Sequence, residues 1–341
     1  MHVAALPAFA NAAANRYNAL LYAARERSGA SIEEFTPRLT GQRRVDIVHV
    51  HWPDAPLNKP NPVKALGRAT QMLGALAMAR RRGARLVWTA HNAGTHVRRH
   101  PLAERVFWRL LDRLLDGWIA LSPVTVDVVT ERHPRLAGKP CAVIPHGHYR
   151  GAYPDDVDGP TARARLGLRP QDRVLAMVGR VKPYKGADEL VRVFGELADD
   201  DARLLVAGRC DDEALRERLS ALAAADPRVT LELRELADDE LQVWLRAADV
   251  AVLPYVDVLN SGSALLALSY DLPVVAPAAG ALRELAERLP GWVRGYTGPL
   301  TAPDLAAALD VRSVGRPDLG WCDWDPIAEQ TLALFSRVAT A

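Results

Sequence analysis

Short apolar runs alternate with longer amphipathic stretches along the whole chain. After a first strand at the N-terminus, runs at 45–51 (VDIVHVH), 85–91 (RLVWTAH), 117–122 (GWIALS) and 141–146 (CAVIPH) form one series. A polar, Gly/Pro-containing stretch follows at 147–170. The pattern then restarts at 173–179, 203–208, 228–233, 249–255 and 272–277, with helical patterns such as 187–198 and 212–225 in between. Runs without polar interruption predict strands covered on both faces, and their alternation with helices predicts βαβ units and parallel sheets. Two series predict an α/β protein of two Rossmann-like doubly wound domains facing a central cleft. The boundaries are placed at 1–155 and 165–320, with a hinge inside 150–170. Residues 321–341 read as a closing helix that packs back toward the first domain, with Asp325 as N-cap and Pro326 at the first helical position. Ligands of such sheets bind where strands end, so the polar residues just after each run are the ones to inspect.

The 341 residues are 49% hydrophobic and 25% charged, enough for two ordinary cores. Cys141, Cys210 and Cys322 are far apart, which argues against a disulfide framework or a zinc site and fits a reducing compartment. The N-terminus lacks the basic and apolar regions of a signal peptide, and no apolar stretch is long enough to span a membrane. A cytoplasmic protein is expected. Its net charge of +2 is unevenly spread: residues 1–150 carry 22 basic against 10 acidic side chains, the rest 21 against 31. The first domain is thus expected to meet an anion. No nucleic-acid recognition motif is present. An anionic membrane surface or a phosphate-bearing acceptor remains. Stretches 64–82 and 98–115 carry Arg68, Arg80, Arg81, Arg82, Arg98, Arg99, Arg105 and Arg109 among Leu, Met, Phe and Trp. That pattern suits peripheral contact with the inner face of a cell membrane as well as a solvated helix face.

Candidate chemistry concentrates in two segments of the second half. In MVGRVKPYKGADEL (177–190) a buried strand ends at Gly179, and Arg180, Lys182 and Lys185 follow before a helix. Cations at a strand end suit a diphosphate, whose charge grows as it leaves. A basic surface loop would read the same way. In 254–280, Asn260, Ser261, Gly262 and Ser263 precede the helical run ALLALS. Free N–H groups there suit phosphate oxygens, and Ser261 or Ser263 suits a helix cap. Arg234 and Glu235 follow another strand.

In the first half, His49 and His51 share one face of a strand, and Trp52 follows. A metal pair, a core role and acceptor binding all fit them, but no third ligand has suitable spacing. His91 and Asn92 end a strand; a histidine there donates hydrogen bonds or carries protons near neutral pH. His96 and His100 lie in a basic stretch, read as exposed. His146 and His148 flank the expected hinge, and Asn11, Asn15, Arg16 and Tyr17 lie in the loop after the first strand. Asp-x-Asp strings, a metal signature in some transferases, occur at 156–158 and 323–325. Neither follows a strand, so both read as solvated or capping carboxylates, and no metal or resident cofactor is expected.

In fixed order, Gly179-Arg180-x4-Lys185-Gly186, LLVAG, AADVAVLPY, a small-residue loop with a helix, and LPVVA resemble the C-terminal half of family-4 glycosyltransferases with the GT-B fold. VHVHWPD, WTAHN, WIALSP and VIPHG resemble segments of its N-terminal half. The loop is similar to that of a bacterial, polysaccharide-type subgroup. The resemblance spans nearly the whole chain and specifies a superfamily more than a substrate. It implies a retaining hexosyltransferase that takes a GDP- or UDP-sugar as donor and a saccharide or lipid-linked saccharide as acceptor. It implies that Arg180 and Lys185 hold the donor diphosphate and that His91 lies by the transferred sugar. The loop holding Arg234 and Glu235 would approach the nucleotide base. Acceptor recognition would fall to the first domain, at Asn11, Asn15, Arg16, Tyr17, His51, Trp52, Asn92 and His146. Counted back from LPVV, the family's two glutamates are replaced by Val258 and Leu266; Asp257, beside the first, is the candidate substitute. Rival readings are a nucleotide-sugar epimerase or phosphorylase on the same fold, and a catalytically silent sugar-nucleotide- or partner-binding protein. A Rossmann dehydrogenase is disfavoured because no GxGxxG is present.

Overall fold

The computed structural model describes all residues except 13, 14, 28, 37–43, 96–98, 313, 314 and 341. His96 and Arg98 therefore lie outside the described residues. The chain divides into two compact units, Met1–Gly147 with Cys322–Ala341, and His148–Trp321.

Unit 1 contains β1 (His2–Leu6), α1 (Tyr17–Arg27), β2 (Ser31–Glu34), β3 (Ile47–Val50), α2 (Pro62–Arg81), β4 (Arg85–Ala90), α3 (Pro101–Leu114), β5 (Gly117–Ala120), α4 (Pro123–Arg132) and β6 (Cys141–Val143). Its sheet has the order β2-β1-β3-β4-β5-β6, all parallel. β3 and β5 are buried at every position, which is why they read as continuous apolar runs. Asn61 starts α2 by accepting the Lys64 N–H at 3.0 Å, with Pro62 at the first helical position.

Unit 2 contains α5 (Gly159–Arg165), β7 (Arg173–Val178), α6 (Ala187–Phe194), β8 (Ala202–Ala207), α7 (Glu213–Ala225), β9 (Val229–Glu232), α8 (Asp238–Ala247), β10 (Val250–Val252), α9 (Gly262–Ser269), β11 (Val274–Pro277), α10 (Gly280–Arg288), β12 (Val293–Tyr296) and α11 (Ala302–Leu309). The sheet order β9-β8-β7-β10-β11-β12 is the dinucleotide-fold order 3-2-1-4-5-6. Its core strands β7 and β8 bury Leu175, Ala176, Leu204 and Leu205 completely. Truncating one such leucine to alanine costs about 2–5 kcal/mol.

The closing helix, α12 (Trp324–Thr340), belongs to unit 1, where Ile327, Thr331, Phe335 and Val338 face inward. It starts at Trp324, so Asp325 and Pro326 lie inside its first turn instead of at the cap and first position. Residues 148–155, expected in the first domain, belong to unit 2. Side chains of unit 2 pin this segment: Ser269 Oγ accepts the Tyr149 N–H at 2.8 Å, Asp155 pairs with Arg246 at 2.6 Å, and Gln242 Oε1 accepts the Asp156 N–H at 2.9 Å. Its Gly/Pro-rich polarity is that of a linker and also of an anchored turn, so composition could not separate the two. The short edge strands β2 and β12 were not expected. β2 has no buried position and β12 is buried only at its two ends, so neither presents an apolar run.

Candidate active site

Each sheet reverses its strand order once, between β1 and β3 in unit 1 and between β7 and β10 in unit 2. A crevice at the carboxyl ends of the strands opens at such a switch point. The candidate residues gather at these two places.

In unit 2 the loop after β7 runs through Gly179 to a single 3-10 turn at Pro183–Lys185. Gly186 then caps α6 with φ 68°, and a Cβ there would lie 2.3 Å from the Pro254 carbonyl oxygen. Glycine is required on both grounds. This turn carries the buried Lys185 to the start of α9, where its Nζ donates to Ser263 Oγ at 3.2 Å. Nζ also stands 5.3 Å from the centre of the Tyr255 ring. A Cβ on Gly179 would lie 3.3 Å from Ser263 Oγ and 3.8 Å from Lys185 Nζ, so the bare glycine keeps the space before the lysine open. Ser261 is the N-cap of α9 and accepts the Ala264 N–H at 3.2 Å; Gly262 and Ser263 form the first turn. Asn260 precedes the cap and is half-buried. Arg180, Lys182 and Asp257 are exposed. Burial, followed by Tyr255 and Asp257, pushes the Tyr184 phenol up to about 12, against the opposing pull of Arg180. Arg180 and Asp257 thus act on one neighbourhood. Val258 and Leu266 are half-buried apolar side chains.

Arg234 and Glu235 make ion pairs of their own, and Arg209, the partner of Glu235, accepts the Val181 N–H of the loop after β7 on its carbonyl at 3.0 Å. Both guanidinium ends of Arg234 donate to Glu240, at 2.6 and 2.7 Å, and Glu240 accepts the Ala237 N–H at the head of α8. Glu235 faces Arg209 at 3.6 Å.

In unit 1 the centre is Tyr17, the first residue of α1. Its ring meets those of His91 at 4.8 Å, His146 at 4.7 Å and Trp324 at 5.3 Å. Trp52 stacks on His91 at 4.3 Å, and His51 Nδ1 lies 3.0 Å from His91 Nε2. Burial first, then His49 and Arg25 for His51 and the neighbouring imidazoles of His51 and His146 for His91, drive both well below the ordinary imidazole value. Burial also brings His146 down to about 4, partly offset by its bond to the Gly147 carbonyl. These imidazoles are neutral at pH 7. Asn15 Oδ1 accepts the Tyr17 N–H at 2.9 Å, and Asn11 accepts the Asn15 N–H on its carbonyl, so the loop sets up α1. Arg16 and Asn92 are half-buried beside this group. His148 is the first residue of unit 2, and its Nδ1 accepts the Arg150 N–H. His100 is half-buried and bonded to the Lys59 carbonyl, not simply exposed.

A model described as "Glycosyl transferases group 1" matches residues 172–310, most of unit 2. A GDP-mannose:glycolipid 4-beta-D-mannosyltransferase from Xanthomonas campestris pv. campestris is 31% identical over 291 residues, covering 84% of this chain and 78% of the relative. The chain is a group 1 glycosyltransferase. A D-inositol 3-phosphate glycosyltransferase from Segniliparus rotundus is 30% identical over 280 residues, covering 75% of this chain and 61% of that relative. Sucrose-phosphate synthase from Thermosynechococcus elongatus aligns with TM-score 0.68 at 18% identity, over 100% of this chain and 96% of that one. HepE from Anabaena, solved in complex with UDP-glucose, aligns with TM-score 0.67 at 18% identity, over 100% and 98%. The two domains of this glycosyltransferase therefore have the GT-B fold.

The glycosyltransferase also gathers residues that the sequence did not single out. Tyr22 and Arg25 of α1, Thr89 of β4 and Phe335 of α12 are fully buried around His49. Tyr22 and Arg25 fall at helical spacing from Asn18 and Leu21 on one buried face, a signal available only once 17–27 is read as a helix. Both ring nitrogens of His49 and of His51 lie at hydrogen-bond distance from protein atoms, which leaves neither poised as a metal ligand.

Proposed function

We propose that the chain transfers mannose from GDP-mannose to a glycolipid, with unit 2 holding the donor and unit 1 the acceptor. The observation that carries this is the 31% identity to the Xanthomonas mannosyltransferase over 291 residues, a stretch longer than either unit. Lys185, Ser263, the start of α9 and the open space at Gly179 fit a diphosphate: a cation, a hydroxyl, backbone N–H groups and no Cβ in the way. Transfer forms a bond from an acceptor hydroxyl oxygen to the anomeric carbon, breaks that carbon's bond to the diphosphate, and passes the hydroxyl proton to the departing diphosphate or to water. The electron pair leaves with the diphosphate oxygen, where Lys185 and Arg180 oppose the growing charge.

The family resemblance implies retention. Inversion is a second reading with two supports. The carboxylate positions hold Val258 and Leu266, and the relative's name specifies a β-mannosyl linkage, which an α-linked donor yields by inversion. The anomeric configuration of the product, read by NMR, separates the two. We propose a metal-independent reaction. Asp158 is occupied in capping α5, accepting the Thr161 N–H at 2.9 Å, and Asp325 lies in the first turn of α12. Turnover unchanged by a chelator is the expected result.

Among the described residues no helix is long and apolar enough to cross a membrane. Contact with an anionic bilayer is proposed through α3. Leu102, Val106 and Leu110 are 76%, 57% and 42% exposed along one face of it, with Arg105 and Arg109 between them. Those arginines, with Arg132 and Arg135, line a cavity of about 350 Å³. Sedimentation with phosphatidylglycerol-containing vesicles at low salt, lost in L102D/V106D, is expected; equal sedimentation with pure phosphatidylcholine contradicts the charge term.

The deciding experiment offers GDP-mannose and UDP-, dTDP- and ADP-glucose to the wild type, Arg180→Ala and Lys185→Ala. Binding and turnover of GDP-mannose, weakened in both variants, are expected. Failure to bind any donor overturns the proposal.

A further inference from the structure

Inside unit 1, five side chains form one unbroken line of hydrogen bonds. Thr89 Oγ1 lies 2.7 Å from His49 Nε2, and His49 Nδ1 lies 2.8 Å from the Tyr22 hydroxyl. That hydroxyl lies 2.6 Å from His51 Nε2, and His51 Nδ1 lies 3.0 Å from His91 Nε2. A neutral imidazole has one N–H and one acceptor nitrogen, and a phenol has a single hydrogen to give. Once the direction of one bond is known, all four follow.

Thr89 supplies that direction. It is fully buried, and among the described residues its hydroxyl has His49 as its one hydrogen-bond partner. Were the hydrogen on His49 Nε2, the threonine hydrogen would be buried without an acceptor among the described residues, which is unfavourable. Thr89 therefore donates to His49 Nε2. His49 then carries its hydrogen on Nδ1 and gives it to the Tyr22 oxygen. Tyr22 donates to His51 Nε2, and His51 donates from Nδ1 to His91 Nε2. We propose that Thr89, His49, Tyr22 and His51 form a one-directional relay that fixes the hydrogen of His91 on Nδ1, with Arg25 as the positioning charge behind it.

Arg25 is 0% exposed, and none of its three guanidinium nitrogens has a hydrogen-bond partner among the described residues. It lies over the Phe335 ring at 4.1 Å, and that ring is 5.0 Å from His49. Burying a charge without a partner is strongly unfavourable, and such violations persist where function needs them. Here the cation stands beside the His49–Tyr22 half of the line, 5.4 Å from the centre of the Tyr22 ring. It repels a second positive charge and favours hydrogens pointing away from it, toward His91. The groups facing the line are Tyr17 and Arg25 of α1, Trp52, His146, and Trp324 and Phe335 of α12. The nearby Glu34 carboxylate is taken up by the N–H groups of Ala8, Phe9 and Ala10. Burial first, then Arg25, hold His49 below its ordinary value, and burial, His49 and Arg25 do the same for His51. Arg25 itself, lowered to about 10, remains charged at pH 7.

The consequence, which rests on the reading of His91 as a site residue, is that His91 is a neutral imidazole with its hydrogen on Nδ1 and its Nε2 lone pair engaged by His51, so it does not act as a base. Nitrogen-15 NMR of the imidazoles in the substrate-free full chain at pH 7 reads the tautomer directly. The expected result is hydrogen on Nδ1 of His91 in the wild type and in Thr89→Ser, and a mixed or reversed tautomer in Thr89→Val and Tyr22→Phe. Arg25→Met is expected to move the histidine titrations upward. Tyr22→Phe should lower kcat about tenfold, the worth of one hydrogen bond, at unchanged donor KM. Hydrogen on Nε2 in the wild type, or a tautomer indifferent to Thr89 and Tyr22, overturns the relay. The wild-type spectrum decides even if a variant fails to fold. Because no donor or acceptor is present, failure of the relay and failure of the transferase reading are separate outcomes.

Discussion

The two switch points handle charge in opposite ways. In unit 2, Lys185, Arg180 and Lys182 come from one loop of seven residues, with glycines shaping the space around them. This is local machinery for an anion. In unit 1, the histidines are neutral, come from three strand ends, and are ordered by Tyr22, Arg25 and Thr89 from other elements. There the cation Arg25 is fully buried, with no hydrogen-bond partner among the described residues. A backbone loop suffices to place cations for a diphosphate. Fixing which nitrogen of a histidine holds its hydrogen needs a chain of partners deep in the core.

The contrast can be broken most forcefully at Lys185. Lys185→Ala should lower turnover by about 10²–10³-fold, as loss of a charge-stabilising donor does, while the His91 tautomer stays as in the wild type. A changed tautomer would mean the two sites are not independent.

The next largest effect is on stability against pH. His49, His51, His91 and His146 all titrate lower in the folded protein than when unfolded. Above the unfolded value of about 6.5 the neutral form prevails in both states and nothing is lost. As pH falls below that, the unfolded chain binds protons the folded one refuses, so stability drops from about 6.5 down to the folded values. The slope is roughly 1.4 kcal/mol per pH unit for each histidine. Urea melts at pH 7 and pH 5 should show this loss, and equal midpoints would contradict it.

Arg25→Met should act in the opposite sense at pH 7. Replacing an unpaired buried charge with an apolar chain is expected to stabilise by about 1–4 kcal/mol. Destabilisation in thermal melts would mean that its stacking on Phe335 and Tyr22 outweighs the cost of burial. Smallest, Ser261→Ala should cost about 1 kcal/mol through loss of the α9 cap, with a modest rise in donor KM. An unchanged KM would make Ser261 a cap alone.

How legible each region was follows from the same contrast. The buried strands of both sheets announced themselves as apolar runs, and the loop 179–186 was readable because its cations and glycines are contiguous. His49 and His51 were readable as a pair because strand period puts them on one face, and their rings stand 4.3 Å apart. The relay was not readable. Tyr22, Thr89 and Phe335 are ordinary core residues in sequence, and only tertiary packing brings residues 22, 49, 89 and 335 together. The domain boundary was misplaced because turn residues at 148–157 look like a linker until Ser269, Gln242 and Arg246 are seen to hold them.

The most direct test of the division of labour is a calorimetric titration of GDP-mannose into the wild type, Lys185→Ala and Tyr22→Phe. Binding to the wild type and to Tyr22→Phe with similar affinity, and strongly weakened binding to Lys185→Ala, are expected. Full binding by Lys185→Ala, or its loss in Tyr22→Phe with the fold intact, would contradict that division.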